Sequence, residues 1–356
     1  MEKQEIAAAR LKNQQITSPT ETSPSEIVKW LGAIQAQDLP MALWAIGLRT
    51  FDSTHDSVRE AFNKGEIIRT HLMRPTWHCV SADDIYWMLE LTGPQIKTAL
   101  NGRHKSLGIT DGVLKKAKNI FIKHLEKNGP SSRTELVSLL ENAGIPNEDN
   151  RAAHLLIHAE LDAIICSGPL KGNKQTYSLL EERVPNKKRL SYEEALSELA
   201  IRYFTSHGPA TLDDFVWWSG LKKNQASLAL EMTKSQLHSA TIHSKDYWFS
   251  QNQTFSQPDN ESVFLLPAFD EFIISYRDRS AVIPSEHYKK AISRNGLFWP
   301  VIVVNGQVEG LWKRTIKRDS IDIATDFFQT VDQFVMSQTE KQKLALADFL
   351  GKEMNS

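Results

Sequence analysis

The sequence predicts an α+β, mainly helical chain in which helical repeats come first and a small β-rich domain comes last. Two observations carry that prediction. A pattern of turn, cap and helix recurs around two Gly-Pro pairs. Beyond Gln257-Pro258 the texture changes from helical periodicity to short apolar runs separated by turn residues. The 356 residues suffice for two to four domains of about 100–200 residues each. With 41% apolar and 24% charged residues, the composition is that of a globular chain rather than a disordered or fibrous one.

The repeat sits at Asn128–Val137 and His207–Val216, where Gly-Pro pairs begin at Gly129 and Gly208. Each follows an amphipathic stretch, Ala117–Lys127 or Glu193–Ser206. Each is followed by a cap with an acid three residues on, Ser132/Glu135 and Thr211/Asp214. The first pair is a capping box; in the second, Asp is a weaker substitute for Glu. A short helix, a turn at Gly144 or Gly220, and a longer helix (Asn147–Asp162 or Lys222–Leu237) come next. Two strands close each copy, Ala163–Cys166 with Thr176–Leu179, then Ser239–His243 with Tyr247–Ser250. Three helices followed by a β-hairpin describe a winged helix, so the chain holds tandem copies.

The N-terminal third reads as a third, diverged copy. Helices fit Pro24–Ala36 and Ser57–Lys64, and a strand pair spans Ile67–Val80 around Arg74-Pro75. In the last third, Phe264–Leu266 and Val301–Val304 are strands, and Asn305-Gly306 is a strong hairpin turn into Gln307–Lys313. Ile321–Lys352 reads as helices, with Ser337 and Glu340 spaced for a capping box. The expected division is therefore 1–115, 116–186 and 187–257 for the three winged helices, and 258–356 for the β-rich domain with terminal helices.

Composition excludes several classes. No run approaches the roughly 18 apolar residues of a membrane helix, and Met1–Glu5 lacks a signal-peptide core, so a cytoplasmic chain is expected. Cys79 and Cys166 sit in apolar runs and read as buried free thiols. A formal net charge of -1 lacks the overall basicity common in nucleic-acid binders. Local patches remain: eight Lys/Arg between Lys97 and Lys127, Lys187–Arg189, and Lys313-Arg314 with Lys317-Arg318. There is no dinucleotide fingerprint, phosphate loop, His-Glu-x-x-His or Gly-x-Ser-x-Gly. His71 and His78 lack a third ligand partner, so neither metal nor cofactor is expected.

The unusual local feature is Ile34-Gln35-Ala36-Gln37-Asp38-Leu39-Pro40. Ser23, Pro24 and Glu26 mark the start of the preceding helix, and Pro40 places its end near Gln37 or Asp38. Residues two apart on a helix point about 200° away from each other. Gln35 and Gln37 can converge on one target only if the helix breaks there. By pattern alone, two such glutamines also serve as caps or surface.

Five motifs, in order, resemble the AlkZ-like winged-helix DNA glycosylases. They are the Gln-Ala-Gln at Gln35–Gln37; Arg69-Thr-His-Leu-Met-Arg-Pro-Thr-Trp-His78; His207-Gly-Pro-Ala-Thr-Leu-Asp-Asp-Phe-Val-Trp-Trp-Ser-Gly-Leu221; Leu265–Asp270 through Tyr276–Arg279; and Asn295–Pro300 through Gly310–Arg314. Pro75 departs from the glycine expected in the hairpin turn. The resemblance implies three winged helices and a C-terminal β-barrel-like domain, arranged as a C around duplex DNA, in a monomer. It implies that Gln35 and Gln37 are the catalytic Gln-x-Gln. It also points to DNA contacts from the Arg69–His78 hairpin (Arg69, His71, Arg74, Thr76, His78) and from Arg279 and Arg314. Arg279 and Arg314 have an alternative as partners of Asp270 or Asp278, and Trp217 and Trp218 read as core.

The implied substrate is duplex DNA carrying alkylated bases, including interstrand crosslinks. A purine alkylated at N7 is already cationic and leaves without a general acid, unlike the leaving group of an ordinary glycosidase. Two amides can orient water and stabilise the sugar cation, although an amide oxygen is too weak a base to take a proton early. The competing reading is a non-enzymatic winged-helix regulator, since fold does not fix function.

Overall fold

The computed structural model describes residues 2–242, 244–255 and 262–355; His243 and the texture boundary at Gln257-Pro258 lie outside them. The chain forms two compact units, one of Met1–Arg59, Leu196–Trp218 and Lys222–Ser356, the other of Glu60–Ala195 with Ser219–Leu221. Among the described residues no helix is long and apolar enough to cross a membrane.

The second unit carries the hairpin Ile67–Leu72/Thr76–Ser81, paired from Ile67↔Ser81 to Leu72↔Thr76. Pro75 is accommodated in its turn, where Met73 takes φ 57° and the register is unbroken. Helices Asp111–Asn128, Arg133–Asn142 and Arg151–Leu161 follow. The Ser132/Glu135 capping box forms in both directions, and Gly144 turns at φ 76°. Asn147 caps by its side chain, to Ala152 N–H at 2.9 Å. The helix itself starts later than expected, at Arg151, because Asp149 and Asn150 adopt φ 51° and 61°. A three-stranded sheet places Thr176–Leu179 between Ser131–Ser132 and Ile165–Ser167. Phe121, Leu125, Leu136, Leu140, Leu155 and Ile165 fill its core. Both thiols are free and fully buried, which pushes each up to about 12. The helix Ile85–Ser106, with Pro94 inside it, has no counterpart in the sequence-based expectation.

The first unit contains most of the second Gly-Pro copy, whose helices are Tyr192–Ser206, Leu212–Ser219 and Lys223–Thr233, followed by the hairpin Leu237–Ile242/Lys245–Ser250. Asp214 does serve as the acid of its capping box, exchanging bonds with Thr211. The C-terminal sheet is a curled five-stranded half-barrel, in spatial order Glu353–Met354, Ser320–Phe327, Gln307–Ile316, Val301–Val304, Val263–Leu266. Asn305 (φ 50°) and Gly306 (φ 81°) make the tight turn that their sequence predicts. Ile321–Phe327 is a strand and not the start of a helix: Ile321 and Ile323 are buried with Asp322 between them at the surface side, a period of two. The terminal helix is one piece, Gln333–Phe349, capped by Asp332; Ser337 lies inside it and bonds back to Phe334. The unanticipated helix Lys3–Asn13 supplies Ile6, Ala7 and Leu11 to the same core as Leu266, Phe272 and Val301.

Candidate active site

The expected helix Pro24–Ala36 is shorter in the structure. It ends at Leu31 because Gly32 takes φ 78°, ψ −54°, a conformation open to glycine and closed to side-chain-bearing residues. Ser23 stands at its N-cap without a side-chain cap bond, its hydroxyl paired with Ser25 instead. Pro40 lies in the first turn of the next helix, Leu39–Gly47, and Asp38 caps that helix through Met41 N–H at 3.1 Å. Gln35 and Gln37 therefore stand in a non-helical link, with Ile34–Gln35 extended. Gln37 lies in the bend that follows, outside the extended pair. The break that joint action requires is present, and glycine makes it rather than proline. Gln35 is 6% exposed, Ala36 fully buried and Gln37 open to solvent.

Beneath this link sits a carboxylate that sequence reasoning missed. Glu271, 1% exposed, accepts the Gln35 backbone N–H at 2.6 Å, the Trp218 indole N–H at 3.2 Å and the Ser275 hydroxyl. His207 Nε2 lies 3.7 Å away. Burial works to raise the Glu271 carboxyl, but His207, Ser275 and the Gln35 N–H outweigh it and hold it down at about 2. Burial pushes His207 below the ordinary histidine range. Three donors on one carboxylate are enough to keep it ionised, so Glu271 is an acceptor and no proton donor at neutral pH.

Glu271 is placed by its neighbour. Asp270 caps the short helix Glu271–Ile274 through Phe272 N–H at 2.9 Å and takes a two-pronged bond from Arg49, at 2.7 and 2.9 Å. Arg49 also bonds Ala45 C=O and Gln14. Buried charges that are paired and hydrogen-bonded in this way fix geometry. Asp270 is thus the partner of Arg49, and Asp278 of Lys245 at 2.7 Å. The Asp278 carboxylate acts on Arg279 at longer range, and among the described residues neither Arg279 nor Arg314 forms an ion pair with Asp270 or Asp278.

The expected DNA-contact residues divide by exposure. Arg69, His71 and His78 are buried in the second unit, His71 against Glu160 and Arg69 over the Trp77 ring at 4.0 Å. Arg74 and Thr76 are partly exposed on the hairpin. In the first unit Arg279 is buried, donating to Ile273 C=O between the rings of Trp217 and Phe298, 5.1 and 5.0 Å away. Arg314 is partly exposed on its strand; burial lowers its guanidinium, and the Asp38 carboxylate opposes that shift. Trp218 is core, whereas Trp217 keeps 39% of its surface exposed and donates to Ile274 C=O. Among the described residues no group of His, Cys, Asp and Glu is arranged to hold a metal.

A family model described as DNA glycosylase AlkZ-like matches residues 28–347. The chain belongs to the AlkZ-like DNA glycosylase family. It is 23% identical over 345 residues to an interstrand DNA cross-link repair glycosylase of Streptomyces sahachiroi, with 87% of each chain covered. The solved structure of the Streptomyces sahachiroi DNA glycosylase AlkZ superposes with a TM-score of 0.81 at 19% identity, covering 99% of this chain and 98% of that one. The family match encloses the Gln35–Gln37 link and Glu271. The structural likeness shows that the arrangement of helices and curled sheet is a shared fold.

Proposed function

We propose that this glycosylase hydrolyses the N-glycosidic bond of cationic purines, alkylated at N7 or N3, with one bound water and no covalent enzyme intermediate. One observation supports this reading most: Gln35-Ala36-Gln37 is freed from its helix by Gly32 and tied through the Gln35 N–H to an ionised, buried Glu271. The site offers amides and a carboxylate committed to internal donors, with no general acid. That inventory suits a leaving group that needs no protonation.

In the reaction the C1′–N9 bond breaks and its electron pair flows into the purine, discharging the ring cation. Water adds its oxygen to C1′ and loses a proton to solvent, leaving an abasic sugar and a neutral alkylpurine. Gln35 and Gln37 orient the water and stabilise the oxocarbenium-like sugar. Glu271 is a positioning residue: it fixes the backbone from which Gln35 projects. The same bond breakage applied to a purine bridged to the other strand unhooks a crosslink, the substrate in the relative's name. The tandem winged helices, with partly exposed Arg74 and Arg314, supply the cations for the DNA backbone.

The test is single-turnover excision from a duplex holding one N7-methylguanine. We expect alkali-cleavable abasic product from the wild type, and rates lower by about a hundredfold or more in Gln35→Ala and Gln37→Ala, with duplex affinity changed only a few-fold. No product from the wild type on either the methylated or a crosslinked duplex would return the chain to the regulator reading.

A further inference from the structure

The second unit contains a cavity of about 630 Å³ that the glutamine chemistry does not use. Its described lining carries three permanent cations, Arg69, Arg133 and Lys174, and no carboxylate. Arg69 forms the floor at 4% exposure, held flat over Trp77 and bonded to the Gln175 side chain. Arg133 stands at the rim and donates to the Asn150 amide oxygen at 2.6 Å. Arg133 is thus oriented by a neutral amide oxygen, which places its guanidinium without cancelling its charge; Arg69 is also acted on by the buried Glu160 carboxylate that His71 engages. Leu156, Ile157 and the Tyr177 ring line the cavity beside them, and Tyr177 is 7% exposed. The larger cavity of the first unit is different: there Lys223 faces Asp213 at 3.3 Å, Lys245 faces Asp278, and Lys234 is paired with Glu231. Carboxylates line it too, and four of its seven cations are paired with them.

A pocket with net positive lining and a fixed planar guanidinium at its floor attracts an oxyanion, and guanidinium forks fit phosphate oxygens. Its volume falls in the range of about 300–1,000 Å³ typical of small-ligand sites, which is room for one nucleotide and not just one ion. The apolar side then has a use, against a sugar or a base. We propose that this cavity is a phosphate-binding site, and that its occupant is one phosphodiester of a DNA strand, seated on Arg133 and Lys174 at the rim above Arg69. The proposal rests on the glycosylase reading for the identity of its occupant alone.

The test measures affinity of the full chain for a short undamaged duplex, by fluorescence anisotropy, as salt is raised from roughly 50 to 200 mM. The variants are Arg133→Ala/Lys174→Ala and, as control outside the winged helices, Lys289→Ala/Lys341→Ala. All four side chains lie at exposed positions, so folding is retained and is checked by melting temperature. Each phosphate contact adds about 0.9 to the slope of log K against log salt. The rim double variant is expected to lose about one such increment and the control none. An unchanged slope in the rim variant overturns the proposal. A second arm adds inorganic phosphate at matched ionic strength: displacement of the duplex at millimolar phosphate, lost in the rim variant, would make this a free-phosphate site and overturn the DNA assignment. Because the duplex is undamaged, failure of excision leaves this result untouched, and failure here leaves excision untouched.

Discussion

At the scale of single residues, Glu271 has the sharpest consequences. Removing its carboxylate leaves the Gln35 N–H, the Trp218 indole and the Ser275 hydroxyl without an acceptor, and unsatisfied buried donors cost roughly 1–3 kcal/mol each. Glu271→Ala is therefore expected to lower the melting point. Glu271→Gln, which keeps an oxygen for the N–H, should lower the excision rate at saturating enzyme more than it weakens substrate binding. A role confined to stability would leave that rate unchanged in the folded fraction. The pH dependence follows from the direction of the shift. The folded carboxyl stands at about 2, below its ordinary 4.5, so its contribution is complete above about pH 4.5 and is lost as pH falls toward 2. Melting temperatures of wild type and Glu271→Gln should converge over that interval and part above it. The thiols make a simpler case: burial holds Cys79 and Cys166 up at about 12, so a thiol reagent at pH 8 should label neither until the chain unfolds.

At the scale of elements, glycine punctuation decides where the candidate site can exist. Replacing Gly32 by alanine places a side chain at φ 78°, ψ −54°, and a cost of order 1–3 kcal/mol is expected. Relief comes by extending the Pro24–Leu31 helix into the glutamine link, so Gly32→Ala should lose excision out of proportion to its fall in melting temperature. A rate reduced only as far as stability falls would show that the link keeps its shape. Much of this was legible in the sequence. The Ser132/Glu135 box, the Thr211/Asp214 box, the Asn305-Gly306 turn and the Ile67–Val80 hairpin all carry local signals, and local chemistry settles them. The errors came where two signals competed. Pro40 carries the signal of a helix stop yet opens the next helix, and Gly32 is the stop. Ile321–Phe327 lies in a stretch with helix-forming composition, but its apolar residues alternate and it is a strand. Glu271 left a fainter trace: two acids in a row, Asp270-Glu271, ahead of Phe272-Ile273-Ile274. Charges in an apolar run must find partners, but Arg49 and the Gln35 N–H lie 221 and 236 residues away, beyond any spacing rule.

At the scale of the whole chain, the first unit is assembled from three separated stretches. The Lys3–Asn13 helix buries Ile6 and Leu11 in the core that holds Leu266, Phe272 and Val301. Each such side chain is worth roughly 1.5–3 kcal/mol of apolar burial. Arg10 adds a stack on Tyr276 at 3.5 Å and a bond to the Pro209 carbonyl. Deletion of residues 2–13 is accordingly expected to cost several kcal/mol, and calorimetry of the truncated chain should show it; an unchanged melting temperature would mean that the sheet core closes without the helix. Arg49→Ala tests the same unit from inside. It strands the buried Asp270, and breaking a buried pair costs about 3–5 kcal/mol.

The distance in sequence between Gln35 and Glu271 also has a meaning in time. During synthesis at about 5–20 residues per second, the 236 residues that separate them take roughly 12 to 47 seconds to emerge. Throughout that interval the nascent chain displays its glutamine link without the carboxylate that anchors it. Termination before residue 271 releases a fragment that bears winged-helix segments and lacks the Glu271 anchor of the glutamine link. On the proposed reading, competence to cut a base from its sugar arrives only after residue 271 has emerged.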